Sequence, residues 1–184
     1  MIDLKTLLIM FARAINSSTV KYWLLIGNVA GFFYYPELIT RDVDIAVLFT
    51  ESRDIETLIH SMEREGFQLS SEQKYSLMAK QRTIIYLEES PFYVDLLPVV
   101  YDVDIFMDAW KHRVTETLDD QKIFLPTFEY WLILKLYAGR ESDFVVAKKA
   151  LRYAENLGVS IDYRLLQELA KKYSIEKRLR RILR

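Results

Sequence analysis

The chain has no cysteine, which excludes disulfides and thiolate metal sites. Histidine is nearly as scarce. His60 and His112 are the only two, and neither has a partner at metal-ligand spacing, so no role in chemistry is assigned to them. Long apolar runs are missing: no stretch approaches the roughly 20 residues that a membrane-spanning helix needs. Nor does the N-terminal stretch read as an export signal, because the apolar segment Leu7 to Phe11 is too short and Asp3 spoils the positive flank. The spacing of Leu4, Leu7, Leu8, Phe11, Ala12 and Ile15 predicts an amphipathic helix instead, and the expectation is a soluble, cytoplasmic protein. An excess of one charge is absent too: the net charge is −1, so the molecule as a whole exerts no general attraction on nucleic acid. Low-complexity linkers and internal repeats are also lacking.

What is present begins with carboxylates. Thr40-Arg41-Asp42-Val43-Asp44-Ile45-Ala46-Val47-Leu48-Phe49 alternates from Asp42 to Ala46 and then runs apolar, which predicts a strand. On a strand, residues i and i+2 share a face, so Asp42 and Asp44 project side by side. Two adjacent carboxylates repel unless a cation lies between them, and a hard divalent ion such as Mg²⁺ suits an all-oxygen site. An exposed Asp-x-Asp also occurs commonly without any ligand, so the pair needs support from elsewhere in the chain.

Two stretches supply it. Lys21 to Gly27 reads as a buried strand ending at Gly27-Asn28, followed by a short apolar segment to Tyr35. A strand, a glycine and a helix start can present backbone N–H groups to phosphate, with Gly27 making the turn and Asn28 either capping the helix or bonding a phosphate oxygen. An ordinary strand-to-helix turn has the same appearance. Further on, Phe92 to Val100 is a strongly apolar strand interrupted by Asp95. A charge there is an exposed strand position, half of a buried ion pair, or a third metal ligand beside the first two.

The order of these motifs resembles the DNA polymerase β-like nucleotidyltransferase superfamily, and more narrowly the minimal nucleotidyltransferases and the AbiEii-type toxin nucleotidyltransferases. Gly27-Asn28 matches the family's Gly-Ser or Gly-Gly, Asp42, Asp44 and Asp95 match its carboxylate triad, and Thr40 matches a common position two residues before the first acid. Leu132 to Asp143 is similar to the family's helical Lys…Ala-x-Arg-x-x-Asp segment, through Lys135, Arg140 and Asp143. Matching positions span residues 20–155. Three positions depart: Asn28 replaces Ser or Gly, Leu38 stands where many relatives carry Arg, and Val146 where they often carry Asp.

The resemblance implies a nucleotidyltransferase using two Mg²⁺ ions (or Mn²⁺) held by Asp42, Asp44 and Asp95. Gly27, Asn28, Thr40, Lys135 and Arg140 would bind the nucleotide. The partners implied are an NTP and an acceptor hydroxyl on tRNA or another RNA, a protein, or a small molecule, and the AbiEii-type resemblance adds a toxin–antitoxin setting with a cognate antitoxin or small helical partner. The rival reading is a non-catalytic member of the fold that binds nucleotide or another protein. Lys135 lies in an apolar helix and could equally extend its ammonium to water. Arg140 and Asp143 could equally form an i,i+3 helix pair.

The rest of the chain divides into an α+β architecture. Residues 1–125 read as a nucleotidyltransferase core with a small mixed sheet flanked by helices, and residues 126–184 as a helical subdomain, the cleft between them holding the nucleotide. Helices are expected near 2–16, 28–35, 52–65 and 102–111, and strands near 21–26, 42–49, 82–88, 91–100, 114–118 and 122–125. Glu89-Ser90-Pro91 is expected to turn a hairpin, and 67–80 to be a short strand and loop. The second Asp-x-Asp, Asp102 and Asp104, precedes a helical stretch and reads as a cap and first-turn acid rather than a metal pair. Of Phe32, Phe33, Tyr34 and Tyr35, one could stack on a base, although packing is the simpler role. Lys171 to Arg184 holds seven Lys or Arg and one Glu, a basic face that could meet RNA phosphates, water or another subunit.

Overall fold

The computed structural model describes residues 2–88 and 90–183. Helix α1 (Leu4–Asn16) is capped by Asp3, whose carboxylate accepts from the Thr6 N–H at 2.7 Å, and it buries the stripe that the spacing predicts. Strand β1 (Tyr22–Leu25) leads into α2 (Gly27–Phe32), and the chain returns antiparallel to β1 as β2 (Asp42–Leu48). Two helices follow, α3 (Ser52–Arg64) and α4 (Ser71–Met78), then the antiparallel strands β3 (Thr83–Tyr86) and β4 (Tyr93–Pro98). The sheet order is β1-β2-β4-β3, so the crossover through α3 and α4 sets β4 parallel to β2. That pairing is the topological fact on which the site depends.

Period-two alternation then sorts the two sheet faces. Val43, Ile45 and Val47 of β2 and Val94 and Leu96 of β4 are completely buried on one face. Each such side chain contributes about 1.5–3 kcal/mol of burial. Helix α1 packs against β4 and α3 on that side. The opposite face carries Asp42, Asp44 and Ala46 beside Asp95 and Leu97.

After β4 come α5 (Val103–Lys111) and a separate two-stranded sheet, β5 (Val114–Leu118) with β6 (Gln121–Leu125). The remainder is helical: α6 (Phe128–Ala138), α7 (Glu141–Asn156), α8 (Tyr163–Lys172) and α9 (Glu176–Ile182). This segment turns at Gly139 (φ 72°), Gly158 (φ 69°) and Ser174 (φ 56°). Helix α6 touches α2, α5, α7, α8 and α9, which accounts for its apolar character on all sides. Among the described residues, no helix is long and apolar enough to cross a membrane.

The mixed α+β class is as the sequence suggests, with two differences. Residues 71–78 form α4 rather than a strand and loop, because Ser70 and Gln73 make a reciprocal capping box: the Ser70 N–H donates to Gln73 Oε1 at 2.8 Å, and the Gln73 N–H donates to Ser70 Oγ at 3.2 Å. Asp102 does stand at the head of α5, but its carboxylate accepts from the Tyr137 hydroxyl at 2.8 Å and caps no helix N–H. The hairpin between β3 and β4 forms, while Glu89 of its expected turn lies outside the described residues.

Candidate active site

The parallel register sets Asp44 directly beside Asp95, and Asp42 lies two residues earlier on the same face. One carboxylate oxygen from each of the three lies within 4.8 Å of the others. Asp102 and Asp104 are no part of this cluster. Each acid meets a different environment. Asp42 accepts a hydrogen bond from the Thr40 hydroxyl. Asp44 is pushed up to about 7, first by burial and then by the charges of Asp42 and Asp95, with Lys135 and Arg140 opposing. A buried carboxylate pushed upward beside two other acids, in an all-oxygen cluster of this size, fits a hard divalent cation.

Asp95 is 2% exposed, and its charge is already matched. Arg82 donates from Nε to Oδ1 at 2.8 Å and from Nη2 to Oδ2 at 2.6 Å, a fork-on-fork pair. Asp95 is thus both a member of the cluster and half of an ion pair, combining two of the alternatives its sequence position allows. The sequence reading passed over Arg82. Its signal was in the hairpin: pairing Ile84 with Asp95 puts Arg82, two residues earlier, on the acidic face.

Gly27 has φ +67°, and a Cβ at this position would lie 1.7 Å from Asp44 Oδ2, so the turn presses bare backbone against the carboxylate. The Trp131 indole Nε1–H of α6 donates to the Gly27 carbonyl at 2.8 Å. Trp131→Phe keeps an aromatic side chain but deletes this donor and leaves a cavity in place of the larger, fully buried indole, with an expected loss of about 2–4 kcal/mol in chemical denaturation. Asn28 does not cap α2, since Ile26 holds that place. Instead its Oδ1 accepts from Lys135 Nζ at 2.8 Å.

The Lys135 ammonium is tied up within the fold at the cleft rather than extended to bulk water: the residue is 6% exposed and bonds Asn28 and Asp143 Oδ1, the latter at 3.2 Å. Arg140 forms the i,i+3 pair, donating to Asp143 through Nε at 2.7 Å. Burial pushes Asp143 up, but the Arg140 hydrogen bond and the Lys135 charge outweigh it and hold the group below the usual carboxylate range. Lys135, Arg140 and Arg82 all line the cleft over the acids, a cavity of about 330 Å³. A second chamber of about 340 Å³ shares Ile26, Leu97 and Leu134 with this cleft and is lined further by Ala46, Phe106 and Tyr137, with Lys80 and Asp102 as its charged residues.

The remaining candidates fall elsewhere. Leu38 is buried and packs by Gly31, so no cation stands at that position, whereas Val146 lines the acidic cleft. Tyr34 packs on Phe128 and Trp131, and Tyr35 on Tyr153. Much of the C-terminal basic charge is bound internally: Lys172 pairs with Asp108, Arg181 with Glu141, and Arg178 donates to the Leu136 and Tyr137 carbonyls.

A four-stranded mixed sheet with acids on one face and helices over them is a nucleotidyltransferase-like fold. The crystal structure of an antigenic nucleotidyltransferase-like protein from Paracoccidioides brasiliensis superposes with a TM-score of 0.52, covering 94% of this chain and 92% of that one at 16% identity. The chain belongs to the family described as nucleotidyl transferase of unknown function (DUF2204), whose model matches residues 4–184. No curated protein matches it in sequence.

Proposed function

We propose that the protein is a metal-dependent nucleotidyltransferase that moves a nucleoside monophosphate from an NTP to an acceptor hydroxyl. The observation that carries this reading is the β2–β4 register, which brings the oxygens of Asp42, Asp44 and Asp95 within 4.8 Å of one another at the floor of a cleft. These three would hold Mg²⁺, or Mn²⁺ in its place. Bound there, the metal would supply positive charge to the phosphates and lower the pKa of the acceptor hydroxyl.

The chain's own groups supply the rest. Lys135 and Arg140 place fixed positive charge beside the acids, where a polyphosphate would lie. Lys135 holds the Asn28 amide by its oxygen, which leaves the amide NH₂ as a donor to phosphate. The turn at Gly27 brings backbone against Asp44 with no side chain between. Thr40 orients Asp42. In the reaction the acceptor oxygen bonds the α-phosphorus, the bond to the bridging oxygen breaks, and pyrophosphate leaves. Asp95 is the group placed to take the acceptor's proton once its guanidinium partner has moved.

The second chamber favours one acceptor class. Its walls are mostly apolar, with Asp102 as a lining acid and Lys80 as the one lining cation among the described residues. An RNA end would need cations along its phosphates, whereas a small hydroxylated molecule with an apolar body suits the chamber. The test is transfer of label from each α-³²P-NTP to a metabolite extract, to RNA and to protein, with and without EDTA. Metal-dependent label on small molecules is the expected result. The Arg82–Asp95 pair favours the alternative, a binding module with a blocked third acid. NTP binding that ignores metal, with no acceptor labelled, would establish that alternative instead.

A further inference from the structure

We infer that Arg82 is a displaceable stand-in cation. It occupies Asp95 in the metal-free protein and passes to the phosphates when nucleotide arrives, so that the acidic site is completed only with the nucleotide bound. The inference rests on the reading of Asp42, Asp44 and Asp95 as metal ligands.

Four observations support it. The partners are mismatched in exposure: the Arg82 side chain is 62% exposed and that of Asp95 only 3%. The guanidinium can therefore leave without disturbing the core, while the carboxylate stays fixed. Arg82 also sits just before β3, at the sheet's outer strand, where a side chain can swing without breaking a ladder on both sides. Both Asp95 oxygens are engaged by the fork, so a cation that needs this carboxylate competes directly with the guanidinium. Finally, Arg82 lines the same cleft as Lys135 and Arg140, so a polyphosphate there offers it another anionic partner within that cleft.

The three acids are thus unequal. Among the described residues, Asp42 and Asp44 have no cation in contact, and they can take a first ion directly. Engagement of Asp95 is linked to the arrival of phosphate. By linkage, whatever draws Arg82 away strengthens metal binding at Asp95, and the effect runs equally in the other direction.

The experiment compares wild type, Arg82→Gln, Arg82→Lys and Asp44→Asn in two titrations. Mn²⁺ affinity of the nucleotide-free protein is read from the free-ion EPR signal. Inorganic triphosphate affinity in excess Mg²⁺ is read by calorimetry. Arg82→Gln is expected to bind Mn²⁺ about tenfold more tightly and triphosphate more weakly, with Arg82→Lys between it and wild type. These opposite signs separate displacement from a merely structural role, which would weaken both. If Arg82→Gln weakens both, or changes neither, while Asp44→Asn loses Mn²⁺, the Arg82 inference fails and the metal reading stands. If Asp44→Asn binds Mn²⁺ as wild type does, the metal reading fails and takes this inference with it.

Discussion

Asp44→Asn is expected to abolish nucleotidyl transfer and yet, in metal-free solution above neutral pH, to make the protein more stable. Activity falls by about a thousandfold or more, because several kcal/mol of charge stabilisation at the phosphates goes with the ligand. The gain in stability follows from the carboxyl's position. Burial and two neighbouring acids raise Asp44 to about 7 in the folded protein, from 3.8 when unperturbed. Between those values the folded state binds more protons than the unfolded state, so stability falls as pH rises from about 4 to about 7 and stays at its lower level above that. The accumulated penalty is on the order of 2–4 kcal/mol once screening at the cleft mouth is allowed for. Asparagine carries no such penalty. Melting curves in EDTA at pH 8 are expected to place the variant above wild type, and at pH 4 to bring the two together. Added Mg²⁺ at pH 8 is expected to raise wild type and leave the variant where it was. A variant less stable than wild type at both pH values would show that Asp44 makes favourable contacts that outweigh its repulsion.

Gly27→Ala is expected to damage the same carboxylate from the backbone side. The left-handed φ of +67° costs a non-glycine residue about 1–3 kcal/mol. The added Cβ would also lie 1.7 Å from Asp44 Oδ2, so the carboxylate must leave its place opposite Asp95. The combined loss is expected to be about 3 kcal/mol, a fall in melting temperature of about 10 °C for a chain of this size. Mn²⁺ binding is expected to weaken in parallel. The double variant Gly27→Ala/Asp44→Gly separates the two contributions. Removing the carboxylate relieves the clash but not the backbone strain, so the pair is expected to be non-additive by the steric part alone. Strict additivity would mean that turn and acid do not touch.

Local pattern carried much of the architecture. The alternation through Asp42 and Asp44, the leucine spacing of α1 and the helical character after Thr127 were each visible within a few residues. Helix α4 was visible too, in the capping pair Ser70 and Gln73, but its eight residues lack an apolar stripe and so resemble a loop. The long-range pairings were not legible. Nothing near Asp95 states that β4 lies parallel to β2, because a whole crossover separates them. Arg82 was hidden for a related reason: it opens the expected strand 82–88, but which residue it faces is undefined until the hairpin register is known. Lys135 illustrates a third limit. A lysine in an apolar helix has two plausible surroundings, and the partners that decide between them, Asn28 and Asp143, come from two other helices.

The two bonds that α6 makes to the start of α2, from Trp131 to Gly27 and from Lys135 to Asn28, have a mechanical consequence. They fasten the roof of the cleft to its floor right beside the acids. Enzymes that open like a jaw need that joint free, and here it is pinned. Swinging α6 away from the sheet would have to break both bonds, so any widening of the cleft that leaves them intact falls to its exposed rim, where Arg82 stands.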